Sequence, residues 1–509
     1  MKRKHILTTL IILLIPNLGF SQSDQDSTQI DLKPFQDIKG VVMDIDKQTA
    51  LPYTNIYVKH KHIGVVSNEK GHFSLDIVGL DISDTLRFQY IGYSTRYITV
   101  GELDTLPIVY LKEEIFNLNE TLIFGNKINV RDIVKNVLKN KDKNYQKTTS
   151  KKQTFIRVRN ISDVQEFDLE TKKLSISQLD EELIELLEEK IPKQSTSYTD
   201  FLGNLYFNKN EDDSIKFKID PIRTVSLKEK DIAELEQFET IFENILAETQ
   251  EDEYWKVKSG IFSQKIDMDE DSIQQIKDTL KDNQRRVSSY SRGIKYRLRY
   301  SALDNKDNWE FLHSTGKYKY NLIGGTRVNG EDVYIIDFKP NSSGMYIGRM
   351  YISLNTYALI RADYEYAPGK NGKNIHLLGV GYTENQYSGS IFFEKKDSIY
   401  ELKYFSHKAG AQASLERNIS LLKKKERFLF DKKTNEIKLG VVFAVNSEES
   451  IEYLVLDDKE ISQEQFTNFK QKKIMDVIYV DQFDDNLWRG YSIIEPTKRM
   501  KDYKKQKVD

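Results

Sequence analysis

The side chains that most often run chemistry are sparse in this 509-residue sequence, which holds seven histidines and no cysteine. Without cysteine there is no thiolate nucleophile, disulfide, Cys-ligated zinc, iron–sulfur cluster or lipid-attachment cysteine. The histidines are His5, His60, His62, His72, His313, His376 and His407. A zinc peptidase needs a His-x-x-Glu pair and a distant third ligand, so that the fourth position stays open to water. None of the seven is followed three residues later by Glu, and no His-Glu-x-x-His occurs. His60 and His62 would share one face of a strand and read as a polar strand end. Ser67-Asn68-Glu69-Lys70 matches Ser-x-x-Lys, but it falls on a turn and no Lys-Thr-Gly follows. Gly379-Val380-Gly381 lacks the third glycine and following helix of a dinucleotide site, and Gly369-Lys370-Asn371-Gly372-Lys373 lacks phosphate-loop spacing.

Carboxylates offer two further groupings. Asp180, Glu181, Glu182, Glu185, Glu188 and Glu189 read as the solvated face of a helix, since no interleaved Asn or Gly builds a calcium loop. Asp363 and Glu365 would make a hydrolytic pair only if a cleft brought them together. Tyr318 and Tyr320 alternate as β-propensity dictates rather than as a sugar platform. Trp488 and Tyr491 read as packing a closing segment. The expectation is therefore a protein that is not an enzyme, with no catalytic, cofactor-binding or metal-ligating residue and no cofactor.

Lys plus Arg number 76 and Asp plus Glu 78, so the formal charge is −2 and no basic stripe suits nucleic acid. With 39% apolar and 30% charged residues the chain is a folded, multidomain protein. Lys2, Arg3 and Lys4 precede an apolar run from Ile6 to Ile15, then Pro16, Gly19 and Ser21. Residues 1–21 read as a secretory signal peptide, too short to span a bilayer. Its removal takes three cations, leaving 73 against 78 acids and a charge of −5. The expected location is exported, periplasmic or outer-membrane associated, with an envelope protein or lipid as partner and no transmembrane helix after cleavage. Residues 22–36 read as a linker.

From residue 37 to 112, short alternating strands separated by turns predict an antiparallel β-sandwich. Thr54 to Lys59 alternates Ile56 and Val58 with polar residues, and Asn68-Glu69-Lys70-Gly71 suits a type I turn closed by a glycine at positive φ. Four blocks carry a resemblance: Ile38-Lys39-Gly40-Val41-Val42-Met43-Asp44, Leu51-Pro52-Tyr53-Thr54-Asn55-Ile56, Gly64 through Leu75, and Asp84-Thr85-Leu86-Arg87-Phe88-Gln89-Tyr90-Ile91-Gly92-Tyr93. Their order resembles the carboxypeptidase regulatory-like domain. The resemblance implies a seven-stranded, transthyretin-like sandwich of the kind common in exported proteins of Bacteroidetes-type bacteria, covering about one seventh of the chain. The peptidase half of the name finds no residues here.

Residues 113–126 read as a second linker. Within it, Leu118-Asn119-Glu120-Thr121-Leu122-Ile123-Phe124-Gly125 resembles the segment that joins this domain to the plug of TonB-dependent receptors, but 384 following residues are too few for a plug and a barrel of about 22 strands. Residues 127–290 read as the mainly helical part of an α+β body. Val130, Ile133, Val134, Val137 and Leu138 make one helical stripe, followed by a strand Thr154–Arg159; this order is similar to uncharacterised exported proteins with the same sandwich. Ile176, Leu179, Leu183, Leu187 and Ile191 make a second stripe. Ser226 and Glu229 read as a capping box for a helix with the stripe Ile232, Leu235, Phe238, Phe242, Ile245 and Leu246, and Ile273, Ile276 and Leu280 mark another. Between them Tyr254 to Lys265 reads as strand.

Residues 291–480 read as an antiparallel meander or half-barrel covered by those helices, with Tyr296–Tyr300, Trp309–Tyr320 and Arg427–Asp431 among eight to ten strands. The hairpins Val328–Phe338 and Gly348–Ser353 resemble the lipoprotein-carrier class in pattern, which implies an incomplete barrel around an apolar cavity. Residues 481–509 read as a closing segment and polar tail. The expected function is a non-catalytic cell-envelope protein, the sandwich docking or spacing and the α+β body binding or scaffolding. The alternatives are a periplasmic lipid or lipoprotein carrier and a small outer-membrane β-barrel.

Overall fold

The computed structural model describes residues 37–503 apart from residues 62, 104–105, 117–128, 177–178, 210–216, 229–251, 261, 267–282, 329 and 428–429. The signal-peptide and first-linker expectations, the Leu118–Gly125 segment and the helical stripes at 232–246 and 273–280 thus lie outside the described residues.

In the N-terminal domain, inward Ile56, Val58, Phe73, Leu75, Leu86 and Phe88 alternate with exposed or half-buried neighbours and are buried together. Seven strands, β1 (Asp37–Asp44), β2 (Asn55–Val58), β3 (Gly64–Val66), β4 (His72–Asp76), β5 (Thr85–Gln89), β6 (Arg96–Thr99) and β7 (Ile108–Leu111), form two sheets ordered β4-β1-β7 and β3-β2-β5-β6. Phe73 and Phe88 meet edge to face between the sheets at 5.5 Å. The β3–β4 turn closes as its residues demand: Asn68 Oδ1 accepts from the Lys70 and His72 amides, and Gly71 sits at φ 75°. One pairing departs from the antiparallel expectation, since β1 and β7 run parallel.

The body is one sheet of 14 strands. It draws on β8 (Ser150–Leu174), β9 (Gln194–Phe207), β10 (Phe217–Lys228), β11 (Glu253–Ser259), β12 (Phe262–Ile266), β14 (Tyr318–Val328), β15 (Glu331–Pro340), β16 (Tyr346–Ser353), β17 (Leu359–Tyr366), β18 (Asn374–Leu377), β19 (Val380–Lys396), β20 (Ile399–Lys425), β21 (Lys432–Glu460) and β23 (Ile478–Val480). The order is β14-β15-β16-β17-β19-β20-β21-β8-β9-β10-β23, with β11 on β20, β12 on β11 and β18 on β19. A separate pair joins β13 (Gln284–Arg286) to β22 (Ile474–Asp476). Neighbours along the path are antiparallel except β10 and β23. The path is open, with β14 and β23 at opposite ends.

Several expectations are corrected here. Residues 194–207 and 217–228 are strands rather than part of a mainly helical stretch, and Ser226 lies inside β10 instead of capping a helix. Both faces of β9 are buried from Phe201 to Leu205, which erases the alternation that marks a half-exposed strand. Tyr296–Tyr300 is not a strand: the helix Val287–Leu298 ends within it, and the Tyr296 and Tyr300 rings meet edge to face at 5.7 Å. Trp309–Tyr320 holds the short helix Glu310–His313 before β14 begins. Arg427, Phe430 and Asp431 lie outside any strand, between β20 and β21.

Opposite faces of the sheet carry different layers. Arg361 and Asp363 of β17 turn to the sandwich, while Tyr364 turns to the helices, where Phe311 stacks 4.3 Å from Phe338 and 5.0 Å from Tyr364. Glycine makes room for the Tyr364 ring: a Cβ on Gly389 would sit 2.9 Å from it, and one on Gly348 would strike the Asp363 carbonyl. The helix Val130–Lys139, N-capped by Asn129, buries Ile133, Val134 and Val137 on this side. Past both layers β8, β20 and β21 continue as an arm. Its far end has its own small core of Ile176, Leu179, Trp255, Leu421 and Ile437.

Candidate functional site

Strand register builds the site. Reading across neighbours from β15 to β9, Asp337 faces Arg349, then Asp363, Ser390, Ser406, Glu452, Arg157 and Asp200, one residue from each of eight strands in a single row. A parallel row two residues away on the same face runs Ile335, Tyr351, Arg361, Phe392, Tyr404, Leu454, Phe155 and Leu202. Polar and apolar rows therefore lie side by side under the sandwich.

Charge-assisted bonds knit the polar row. Arg349 grips Asp337 through Nε and Nη2 at 2.6 and 3.0 Å, and Arg157 grips Asp200 at 2.8 and 2.7 Å. Arg361 reaches Asp363 at 2.8 and 3.1 Å, and Ser390 Oγ donates to the same carboxylate at 2.6 Å. With Arg361 included, three guanidiniums face the four carboxylates Asp337, Asp363, Glu452 and Asp200. Glu452 is the carboxylate left over, and its Oε1 has no hydrogen-bond partner among the described residues. Burial, reinforced by the Glu69 and Asp200 charges and opposed by Arg157, pushes it up to about 7. Burial works against the Arg157 charge, but Asp200 holds this guanidinium above its ordinary value. Arg361 is likewise raised by Asp363 against the cost of burial.

The cover comes from two distant parts of the chain. From the sandwich, Tyr90 lies over Arg361 with the guanidinium carbon 4.4 Å from the ring centroid, and its hydroxyl accepts from Arg361 Nη2 at 3.0 Å. Tyr53 stacks on Tyr404 at 4.6 Å. Its backbone is left-handed, φ 60°, a conformation that costs a tyrosine about 1 kcal/mol or more and is held by the contact it makes. From the C-terminal segment, the Ile494 carbonyl accepts from Arg157 Nη1 at 2.9 Å, and the Glu495 carbonyl accepts from Asn68 Nδ2 of the sandwich at 2.9 Å. The linker joins in: Phe116 and Gly325 exchange backbone hydrogen bonds at 2.9 Å on the edge of β14.

Beside the row a cavity of about 240 Å³ opens between the domains, lined by Lys47, Tyr90, Tyr93, Glu113, Arg349 and Tyr351 among others. Its cations are already engaged, Lys47 with Glu113 at 2.8 Å and Arg349 with Asp337. Such a polar lining suits water or a small polar solute and does not suit an acyl chain. The β21–β8–β9 end of the row is closed to substrate, with Asp200 fully buried and Arg157 and Glu452 only 5% and 9% exposed, whereas the Asp337, Arg349 and Asp363 side chains at the other end are 35–39% exposed.

The residues weighed in the sequence fall elsewhere. His60 sits in the turn after β2 at φ 66°, not on a strand face, and His62 lies outside the described residues. Ser67 is buried and works structurally, accepting from the Thr54 amide and donating to the Leu51 carbonyl. Asp363 is tied to Arg361 while Glu365 is exposed, and no cleft joins them among the described residues. Tyr318 donates to Glu310 at 2.6 Å and Tyr320 to the Phe311 carbonyl at 2.6 Å, both turned to the core. Trp488 packs edge to face on Phe155 at 5.5 Å. Asp180 caps the helix Glu181–Lys190, and no three potential ligands gather around a metal position among the described residues. Sequence reasoning missed the row. Its trace was an ionisable residue on the inward side of an apolar strand, as in Phe155-Ile156-Arg157-Val158 and Leu359-Ile360-Arg361-Ala362-Asp363.

On the helix face, His407 is buried between Tyr300, 4.1 Å away, and Tyr387, 5.7 Å away with its ring nearly parallel. Neither ring nitrogen has a hydrogen-bond partner among the described residues. Burial lowers this imidazole to about 4, with Glu449 resisting and Arg297 assisting.

A family model described as the CarboxypepD_reg-like domain matches residues 38–123, so the N-terminal unit is a carboxypeptidase regulatory-like domain. The match runs 11 residues past the expected boundary at 112, into the stretch where Glu113 bridges Tyr93 and Phe116 bridges Gly325. No curated protein matches the chain. Among solved structures, a LolA superfamily protein from Nitrosomonas europaea is 9% identical, with 67% of this chain and 99% of that chain covered and a TM-score of 0.18. MucB in complex with MucA(peri) is 8% identical, with 69% and 99% covered and a TM-score of 0.17. A DUF1329 family protein from Desulfovibrio piger is 11% identical, with 66% and 96% covered and a TM-score of 0.17. Likeness at these TM-scores carries no argument about fold or function.

Proposed function

We propose that this chain is a non-catalytic, exported cell-envelope protein, periplasmic or outer-membrane associated, in which the regulatory-like domain docks onto an α+β body that binds or scaffolds an envelope component. The observation that carries the reading is the seam over the two rows, where Tyr90, Tyr53 and Asn68 of the sandwich engage Arg361, Tyr404 and the C-terminal segment. The bidentate ion pairs lie within the body's sheet, where removing either partner strands the other, and the sandwich covers them by seating Tyr90 on the Arg361 guanidinium. The basic, apolar and polar succession at residues 2–21 supports export. No helix among the described residues is long and apolar enough to cross a membrane. A periplasmic carrier is the second reading, favoured by the open, helix-covered sheet. Organic extraction of the purified protein followed by mass spectrometry separates the two. The scaffold yields no lipid in proportion to protein, and release of about one acyl lipid per chain replaces it with the carrier.

A further inference from the structure

The far end of the arm has a chemistry that the docked end lacks. Strands β20 and β21 are 27 and 29 residues long, and Lys425 lies nineteen residues beyond Ser406 of the polar row, up to about 60 Å away at ~3.3 Å per residue. The connection between them reads Glu426-Arg427-Phe428-Leu429-Phe430-Asp431. Phe430 is 86% exposed, the most exposed large apolar side chain among the described residues.

Cations surround it. Residues 421–436 of the hairpin and 252–266 of the neighbouring hairpin β11–β12 together hold nine Lys or Arg and five Asp or Glu, in a chain whose formal charge is −2. Several are neutralised in place: Lys423 pairs with Glu253 at 2.9 Å, Lys425 with Asp252 at 2.7 Å and Lys433 with Glu436 at 2.6 Å. Arg427 and Lys432, which flank Phe430, are exposed and pair with no acid among the described residues. The acidic helix Glu181–Lys190 runs back from this end, its Glu188 accepting from the Leu169 amide. The small core around Trp255 holds both hairpins as a firm platform. A single exposed apolar residue is ordinary on a protein surface. An aromatic standing out from a strand connection between unpaired cations is the arrangement that partitions into a lipid headgroup region.

We infer that the β20–β21 hairpin tip is a contact point for an anionic bilayer surface, with Phe430 entering the headgroup region and Arg427 and Lys432 meeting lipid phosphates. The contact is independent of the docking reading, since it uses neither the sandwich nor the polar row. Cosedimentation of the full chain with phosphatidylglycerol/phosphatidylcholine vesicles, beside phosphatidylcholine vesicles alone, tests it. Binding is expected to the anionic vesicles and to weaken in high salt. Phe430→Ser should lower the partition coefficient about tenfold, and the Arg427→Gln and Lys432→Gln changes about fivefold each. An unchanged thermal melt of each variant shows that the fold survives. No binding, equal binding to neutral vesicles, or Phe430→Ser binding like the unaltered chain overturns the inference.

Discussion

Replacing Glu452 by glutamine should make the protein more stable at pH 8 and leave it nearly unchanged at pH 4.5. The carboxyl has an ordinary value of 4.5 and stands at about 7 in the folded protein, mainly because it is buried, with Glu69 and Asp200 adding negative charge nearby. Between these two values the folded state binds a proton that the unfolded state has released. Folding is therefore favoured least at high pH: stability declines as pH rises from 4.5 through 7, and above 7 the full cost of ionising the buried group is present. At 1.36 kcal/mol per tenfold change, that cost is about 3 kcal/mol. Glutamine keeps the shape and cannot ionise, so Glu452→Gln should recover up to about 3 kcal/mol at pH 8. Urea unfolding from pH 4.5 to 8.5 measures this, followed by tryptophan fluorescence because Trp488 packs on Phe155 beside the row. A difference between variant and parent that stays constant with pH, or a parent that gains stability relative to the variant as pH rises, refutes the charge balance assigned to the row.

The opposite slope should come from His407, whose folded value of about 4 lies below its ordinary 6.5. Its contribution is intact above 6.5 and is lost as pH falls towards 4, by about 3 kcal/mol; His407→Phe should flatten that acid limb in the same titration. Arg157→Met strands the buried Asp200 and should cost about 3–5 kcal/mol. Adding Asp200→Leu should restore most of it, and a double-mutant cycle in urea that finds the two changes additive would contradict the pairing. Gly348→Ala places a methyl group against the Asp363 carbonyl and the Tyr364 side chain and should cost about 1–3 kcal/mol in thermal denaturation.

The N-terminal sandwich was legible because its physics is local. Alternation at Ile56 and Val58, and the Asn68–Gly71 turn with its single glycine at positive φ, need nothing beyond a few neighbouring residues. The body was less so. Tyr198, Phe201, Leu202 and Leu205 are spaced like a helical stripe, yet they lie in β9, where layers on both sides bury consecutive residues. Tyr296 and Tyr300 alternate with arginines like a strand, yet they fall at the end of a helix. The polar row was beyond reach for a different reason. Each of its eight members comes from a different strand, and only the register of long pairings such as β20 with β21 brings Ser406 opposite Glu452.

The clasp that closes the domain seam also bears on how the two units come together. Tyr90 meets Arg361 across 271 residues of chain, and Asn68 meets the Glu495 carbonyl across 427. Contacts of such sequence separation close late and slowly. The Ile494 and Glu495 carbonyls are thus a latch over the seam, and a variant truncated before residue 494 leaves Arg157 and Asn68 without these two acceptors.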